Sequence, residues 1–85
     1  MTSMTPNMAY NILISKYPDL YVRTCHEYDS AFVFNAIPSF IPDKKKEIFD
    51  SLYGIDKKTR NIFTFQPFSI SQDEYDRGVE VKSFK

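Results

Sequence analysis

Eighty-five residues make a single domain (1–85) at the size where one core only just offsets chain entropy, so burial per residue must be high. Eight Phe and six Tyr supply that burial, and with two Gly and no repeat the chain reads as folded rather than as a linker. Eleven basic and eleven acidic side chains cancel, which weighs against a dedicated nucleic-acid binder; one Cys and one His exclude an internal disulfide and a four-ligand zinc site.

Met1 to Asn7 has neither the basic nor the apolar region of a leader, and no apolar run reaches membrane-spanning length. A cytoplasmic protein with no membrane contact is expected, with residues 1–4 flexible. Thr5-Pro6 then predicts a helix start, since Thr caps free amides and the fixed φ of Pro suits the first helical position. The helix should run from Pro6 to about Tyr17. Met8 and Ile12 fall on one stripe and Ala9, Leu13 and Tyr17 on the next. Pro18 stops it.

From Leu20 to Tyr28 the period is two, with Leu20, Val22, Thr24, His26 and Tyr28 on one face and Tyr21, Arg23, Cys25 and Glu27 on the other. Asp29-Ser30 supplies turn chemistry, and Ala31 to Ile37 resumes as a second strand, so the pair reads as a hairpin. Phe32, Phe34 and Ala36 line one face; Ala31, Val33 and Ile37 line the other, with Asn35 the polar exception. Apolar residues on both faces place this strand inside a sheet or under another chain.

Pro38 and Pro42 bracket Ser39-Phe40-Ile41 in an ordered excursion or edge loop running to Lys46. A third strand is expected over about 49–56, although Lys46 to Tyr53 also fits two helical turns ending at Gly54. Lys57 to Arg60 connects to a fourth strand over 61–67, where Phe63 and Phe65 oppose Ile62, Thr64 and Gln66. Ser71-Gln72-Asp73-Glu74 has capping-box form and predicts a short helix to about Arg77. Gly78 ends it, leaving Val79, Val81 and Phe84 for a final edge strand or a docking tail. The fold class is thus α+β: an N-terminal helix on a three- to four-stranded antiparallel meander, with a C-terminal helix or tail over 71–85.

No nucleotide, nucleophile-elbow or metal motif is present in the sequence. Cys25, His26 and Glu27 supply a thiol, an imidazole and a carboxylate, but consecutive strand residues point to opposite faces, so the thiol and imidazole cannot meet. Asp73, Glu74 and Asp76 read as acids favoured at a helix N-terminus rather than as metal ligands. The sheet aromatics lack the interleaved Lys or Arg of a base-stacking platform and read as core. No enzymatic activity, cofactor or metal is expected. What remains is surplus apolar surface. Tyr21, Ala31, Val33, Ile37 and Ile62 populate a second sheet face that the C-terminal segment, the Phe40-Ile41 loop or another polypeptide must cover. Homodimerisation there is the simplest case. The alternative is a nucleic-acid-associated accessory protein using Arg23, Lys44, Lys45, Lys46, Lys57, Lys58 and Arg60, favoured if the hairpin loops bring those charges together.

Glu27-Tyr28-Asp29 through Phe32-Val33-Phe34, and Ile55-Asp56-Lys57-Lys58-Thr59 through Ile62-Phe63-Thr64-Phe65-Gln66-Pro67, resemble small uncharacterised proteins of phages and prophages of Gram-positive bacteria. The helix, hairpin and D-K-x-T-G-type turn also resemble the small immunity-protein family typified by YrhB. Both resemblances span about Met8 to Pro67 and imply a binding role with a protein partner, with no catalytic residue to carry over. Those turns favour Gly where this chain has Arg60, which speaks against a left-handed residue there.

Overall fold

The computed structural model describes residues 4–38, 51–66 and 68–85. Thr5 caps the first helix, α1 (Pro6–Lys16), its hydroxyl accepting from the Met8 amide at 3.2 Å, with Pro6 in the first turn. Tyr17 closes the other end through its amide on the Leu13 carbonyl. Ala9 and Leu13 are fully buried, and Met8 and Ile12 pack beside them, as the stripes required. Met4 is buried in the same core, and residues 1–3 of the expected flexible start lie outside the described residues.

Strands β1 (Leu20–Glu27), β2 (Ala31–Pro38), β3 (Ser51–Asp56), β4 (Ile62–Thr64) and β5 (Val79–Val81), with the helix α2 (Gln72–Asp76), complete the chain. All pairings are antiparallel, in the order β4-β3-β2-β1-β5. The fold is therefore α+β, but the sheet has a fifth strand: the chain returns after α2 to pair β5 with β1, so the meander closes on its own first hairpin. The β1–β2 turn is tight, the Tyr28 amide bonding the Ala31 carbonyl across Asp29-Ser30. Pro38 ends β2 rather than starting the following loop, at a strand end where its missing donor breaks no ladder. Leu52 to Gly54 are strand, not the end of a helix. The expected excursion over 39–46, and the start of the third strand before Ser51, lie outside the described residues.

One strand departs from simple alternation. The β1–β2 register shifts between Val22 and Thr24, a bulge at Arg23. Side chains before and after it therefore exchange faces relative to the period-two reading. Val22 and Cys25, rather than Val22 and Thr24, are buried together against α1 with Phe32, Phe34, Ala36 and Ile55. Thr24, His26 and Tyr28 turn to the second face beside Tyr21.

Phe84 completes the α1-side core, its ring 5.6 Å from those of both Tyr10 and Phe34. The C-terminal residues thus both pair as an edge strand and dock as a tail. At α2 the capping box forms only by half. The Ser71 hydroxyl accepts from the Glu74 amide at 3.2 Å, whereas the Glu74 carboxylate accepts from the Ser30 amide at 2.8 Å and its hydroxyl at 2.6 Å. A charge-assisted bond to the hairpin wins over the local one, and it ties α2 to the tip of β1–β2.

Candidate functional site

The second face is covered largely by the chain itself. Tyr28 stacks on Phe65, 5.8 Å between centroids and 11° between planes, and on Tyr75 at 5.8 Å and 21°. Val33 lies in the same cluster, with Phe63 and Ile70 packed against it. Ala31, Val33 and Ile37 are buried, at 1%, 3% and 0% exposure. Ile62 faces the other way: opposite Ile55 in the ladder, it packs on the α1-side core. Among the described residues of the expected interface only Tyr21 is half exposed, with the Lys85 ammonium 5.1 Å from its ring centroid. Phe40 and Ile41 lie outside the described residues. On this face Tyr75 of α2 and Phe65 and Ile70 of the segment after β4 pack over Tyr28 and Val33.

What stays open is a cleft of about 330 Å³ on this face, lined by Thr24, His26, Tyr28, Asn35, Leu52 and Tyr75 among others. The Arg23 bulge presents Thr24, His26 and Tyr28 to it, β2 contributes Val33 and Asn35, and Phe65 closes the side toward β4. Gly78 is required where it stands, because the Tyr28 ring occupies the space a β-carbon would take. Leu52 is 39% exposed and Tyr75 49%, so the rim is apolar and open to solvent. An adjoining hollow of about 190 Å³ runs between Leu52, Phe65, Gln72 and Tyr75.

The cleft carries little charge. Among the described residues His26 is its one basic lining side chain, and burial together with Tyr75 raises the Tyr28 pKa above its ordinary value. The Asn35 Oδ1 is buried and finds no donor among the described residues, at a cost of about 1–3 kcal/mol. Cys25 sits on the far side of the sheet from His26, buried, with its thiol pushed up to about 12, chiefly by desolvation and further by Glu27. A thiol held so firmly protonated is no nucleophile at neutral pH. Among the described residues no group of His, Cys, Asp and Glu could hold a metal ion, and no helix is long and apolar enough to cross a membrane.

Among the described residues the basic side chains expected to meet do not converge. Lys57 is paired to Glu27 at 2.8 Å and lies over the Phe32 ring, 4.9 Å from its centroid. The two hairpin loops do meet, through the Lys57 amide on the Ser30 carbonyl, but Asp29, Glu27 and Glu74 meet there too. Lys58 and Arg60 stay at the β3–β4 turn, while Arg23 lies across the sheet on β1, beside Lys82 and Lys85. Lys44, Lys45 and Lys46 lie outside the described residues.

The β3–β4 turn is organised by Asp56. Its carboxylate accepts from the Lys58 and Thr59 amides at 2.8 and 2.9 Å, which holds its pKa below the usual carboxylate range. Arg60 takes the left-handed conformation, φ 64°, against the expectation from its side chain. Its amide bonds the Asp56 carbonyl at 2.8 Å and the Asn61 amide bonds the Thr59 hydroxyl, and this pattern closes only with a left-handed residue at that point. Sequence reasoning did not single out Asn35, Leu52 or Tyr75; only the fold brings them to one opening. No family model, curated protein or solved structure matches the chain.

Proposed function

We propose that the chain is a non-enzymatic protein-interaction module, acting in the cytoplasm and of the phage or mobile-element kind its hairpins resemble, that seats an apolar side chain of a partner in the second-face cleft. The observation that carries this reading is the open rim of Leu52 and Tyr75 above walls of stacked rings. Aromatic walls with a few fixed polar groups suit binding, and rigid exposed aromatics are the usual anchors of protein interfaces. Cys25 is buried in the α1-side core while His26 lines the cleft, so this thiol and imidazole cannot act together as nucleophile and base.

Selection from a displayed library of random peptides tests the reading. The wild-type protein should enrich a sequence family with a recurrent apolar anchor, and a Leu52→Glu, Tyr75→Glu variant with unchanged circular dichroism should not. Equal enrichment by both proteins refutes it. Light scattering, run alongside, decides whether the partner is a second copy: a dimer that the same pair of substitutions dissolves would identify it.

A further inference from the structure

β4 is the last strand of the sheet, and its ladder determines what its free edge offers. The Asp56 amide bonds the Asn61 carbonyl at 3.0 Å, the Phe65 amide bonds the Leu52 carbonyl at 2.9 Å, and Gly54 stands opposite Phe63 between them. Hydrogen-bonded and non-bonded pairs alternate along an antiparallel ladder. Ile62 and Thr64, opposite Ile55 and Tyr53, therefore turn their N–H and C=O groups away from β3. Among the described residues nothing pairs with them, which leaves two donors and two acceptors in a row on an open edge.

Beside that edge, between β4 and α1, lies a shallow groove of about 570 Å³. Ile12 and Ile62 give it apolar surface, Asn11 and Asn61 amides, and Lys16 and Arg60 positive charge; among the described residues no acidic side chain lines it. Among the described residues neither cation forms an ion pair. Arg60 stands in a conformation that favours glycine, so a strained position carries one of the two charges facing the groove.

We infer that the β4 edge takes an extended acidic segment of another protein as a sixth strand, with alternate side chains entering the groove as acid, apolar residue and acid. The backbone row supplies hydrogen bonds without regard to sequence, and Lys16 and Arg60 select for carboxylates beside an apolar residue that meets Ile12 and Ile62. A second copy is the poorer occupant, because pairing two β4 edges brings two sets of these cations to one seam. This surface is separate from the second-face cleft and goes beyond the function proposed for it.

The probe is an acetylated, amidated hexapeptide of sequence Thr-Glu-Thr-Val-Thr-Glu, titrated into isotope-labelled protein, with a copy carrying Lys for Glu as control. Binding of the acidic peptide should shift Ile12, Lys16, Ile62 and Thr64 and slow exchange of the Ile62 and Thr64 amides by about tenfold. Raising salt to about 0.5 M should weaken it. Arg60→Gly should weaken it roughly fivefold while leaving the fold at least as stable, because glycine suits the left-handed turn; lost binding then cannot be ascribed to unfolding. The inference is overturned by equal binding of the lysine peptide, or by no change at Ile62 and Thr64 at about 5 mM peptide. Shifts confined to Leu52 and Tyr75 would also overturn it, and would support the cleft alone. Protection of the two amides that rises with protein concentration without peptide would assign the edge to a second copy instead.

Discussion

Gly78→Ala tests the packing that closes the second face. Gly78 has no positive φ, so alanine meets no backbone penalty and gains about 0.4–1 kcal/mol by restricting the unfolded chain. Against that, the new β-carbon would collide with Cε1 of Tyr28 and stand 2.8 Å from its Cδ1. The ring cannot swing aside, because Phe65 and Tyr75 stack on it and it is almost fully buried. Overpacking of this kind costs about 1–3 kcal/mol, so the net loss should be near 1–2 kcal/mol. For a domain of this size that lowers the melting temperature by roughly 4–16 °C. The assay is thermal and urea unfolding of four proteins in a double-mutant cycle with Tyr28→Ala. With Tyr28 truncated, the β-carbon has room, and Gly78→Ala should become neutral or slightly stabilising. Destabilisation by the same amount in both backgrounds would refute the argument that the ring, rather than the β5 backbone, makes this position glycine.

Arg60→Gly should raise stability by about 1 kcal/mol in urea unfolding, since the left-handed turn at φ 64° then carries no β-carbon. Asp56→Ala should destabilise the protein at pH 7, with the gap closing in acid. The folded pKa is lowered, so the contribution is complete above the unfolded value of about 3.9 and is lost as pH falls through the folded one. Unfolding midpoints of both proteins between neutral pH and strong acid check it. Phe84→Ala should cost about 3–5 kcal/mol, a core aromatic's loss, because the ring is only 6% exposed between Tyr10 and Phe34; near-complete retention of stability would mean the tail is not docked. Native Cys25 should resist alkylation at pH 8 and react at the rate of unfolding, since its pKa is pushed up to about 12. Fast modification of the folded protein would contradict the buried assignment.

The elements that local chemistry dictates were legible in the chain. Thr5-Pro6 and Pro18 bounded α1, Ser71 marked the start of α2, and Asp29-Ser30 set the first hairpin, because caps and turns are decided by a few neighbouring residues. The two-faced apolar pattern of Ala31 to Ile37 correctly placed β2 inside the sheet. Tertiary structure alone decided the rest. Arg23 bulges because β2 and α1 bury Val22 and Cys25 on one side, a demand no period-two reading of β1 contains. Glu74 leaves its own helix for Ser30, and Arg60 accepts a left-handed conformation, because in each case hydrogen bonds to groups brought near by the fold outweigh the local preference. The same holds for the aromatic surplus. Its existence follows from counting apolar residues on two faces, but whether another chain must cover it depends on where Phe65 and Tyr75 land. The return of the chain through α2 to the free edge of β1 places Tyr75 over Tyr28, and long-range pairing of that kind is written in no single segment.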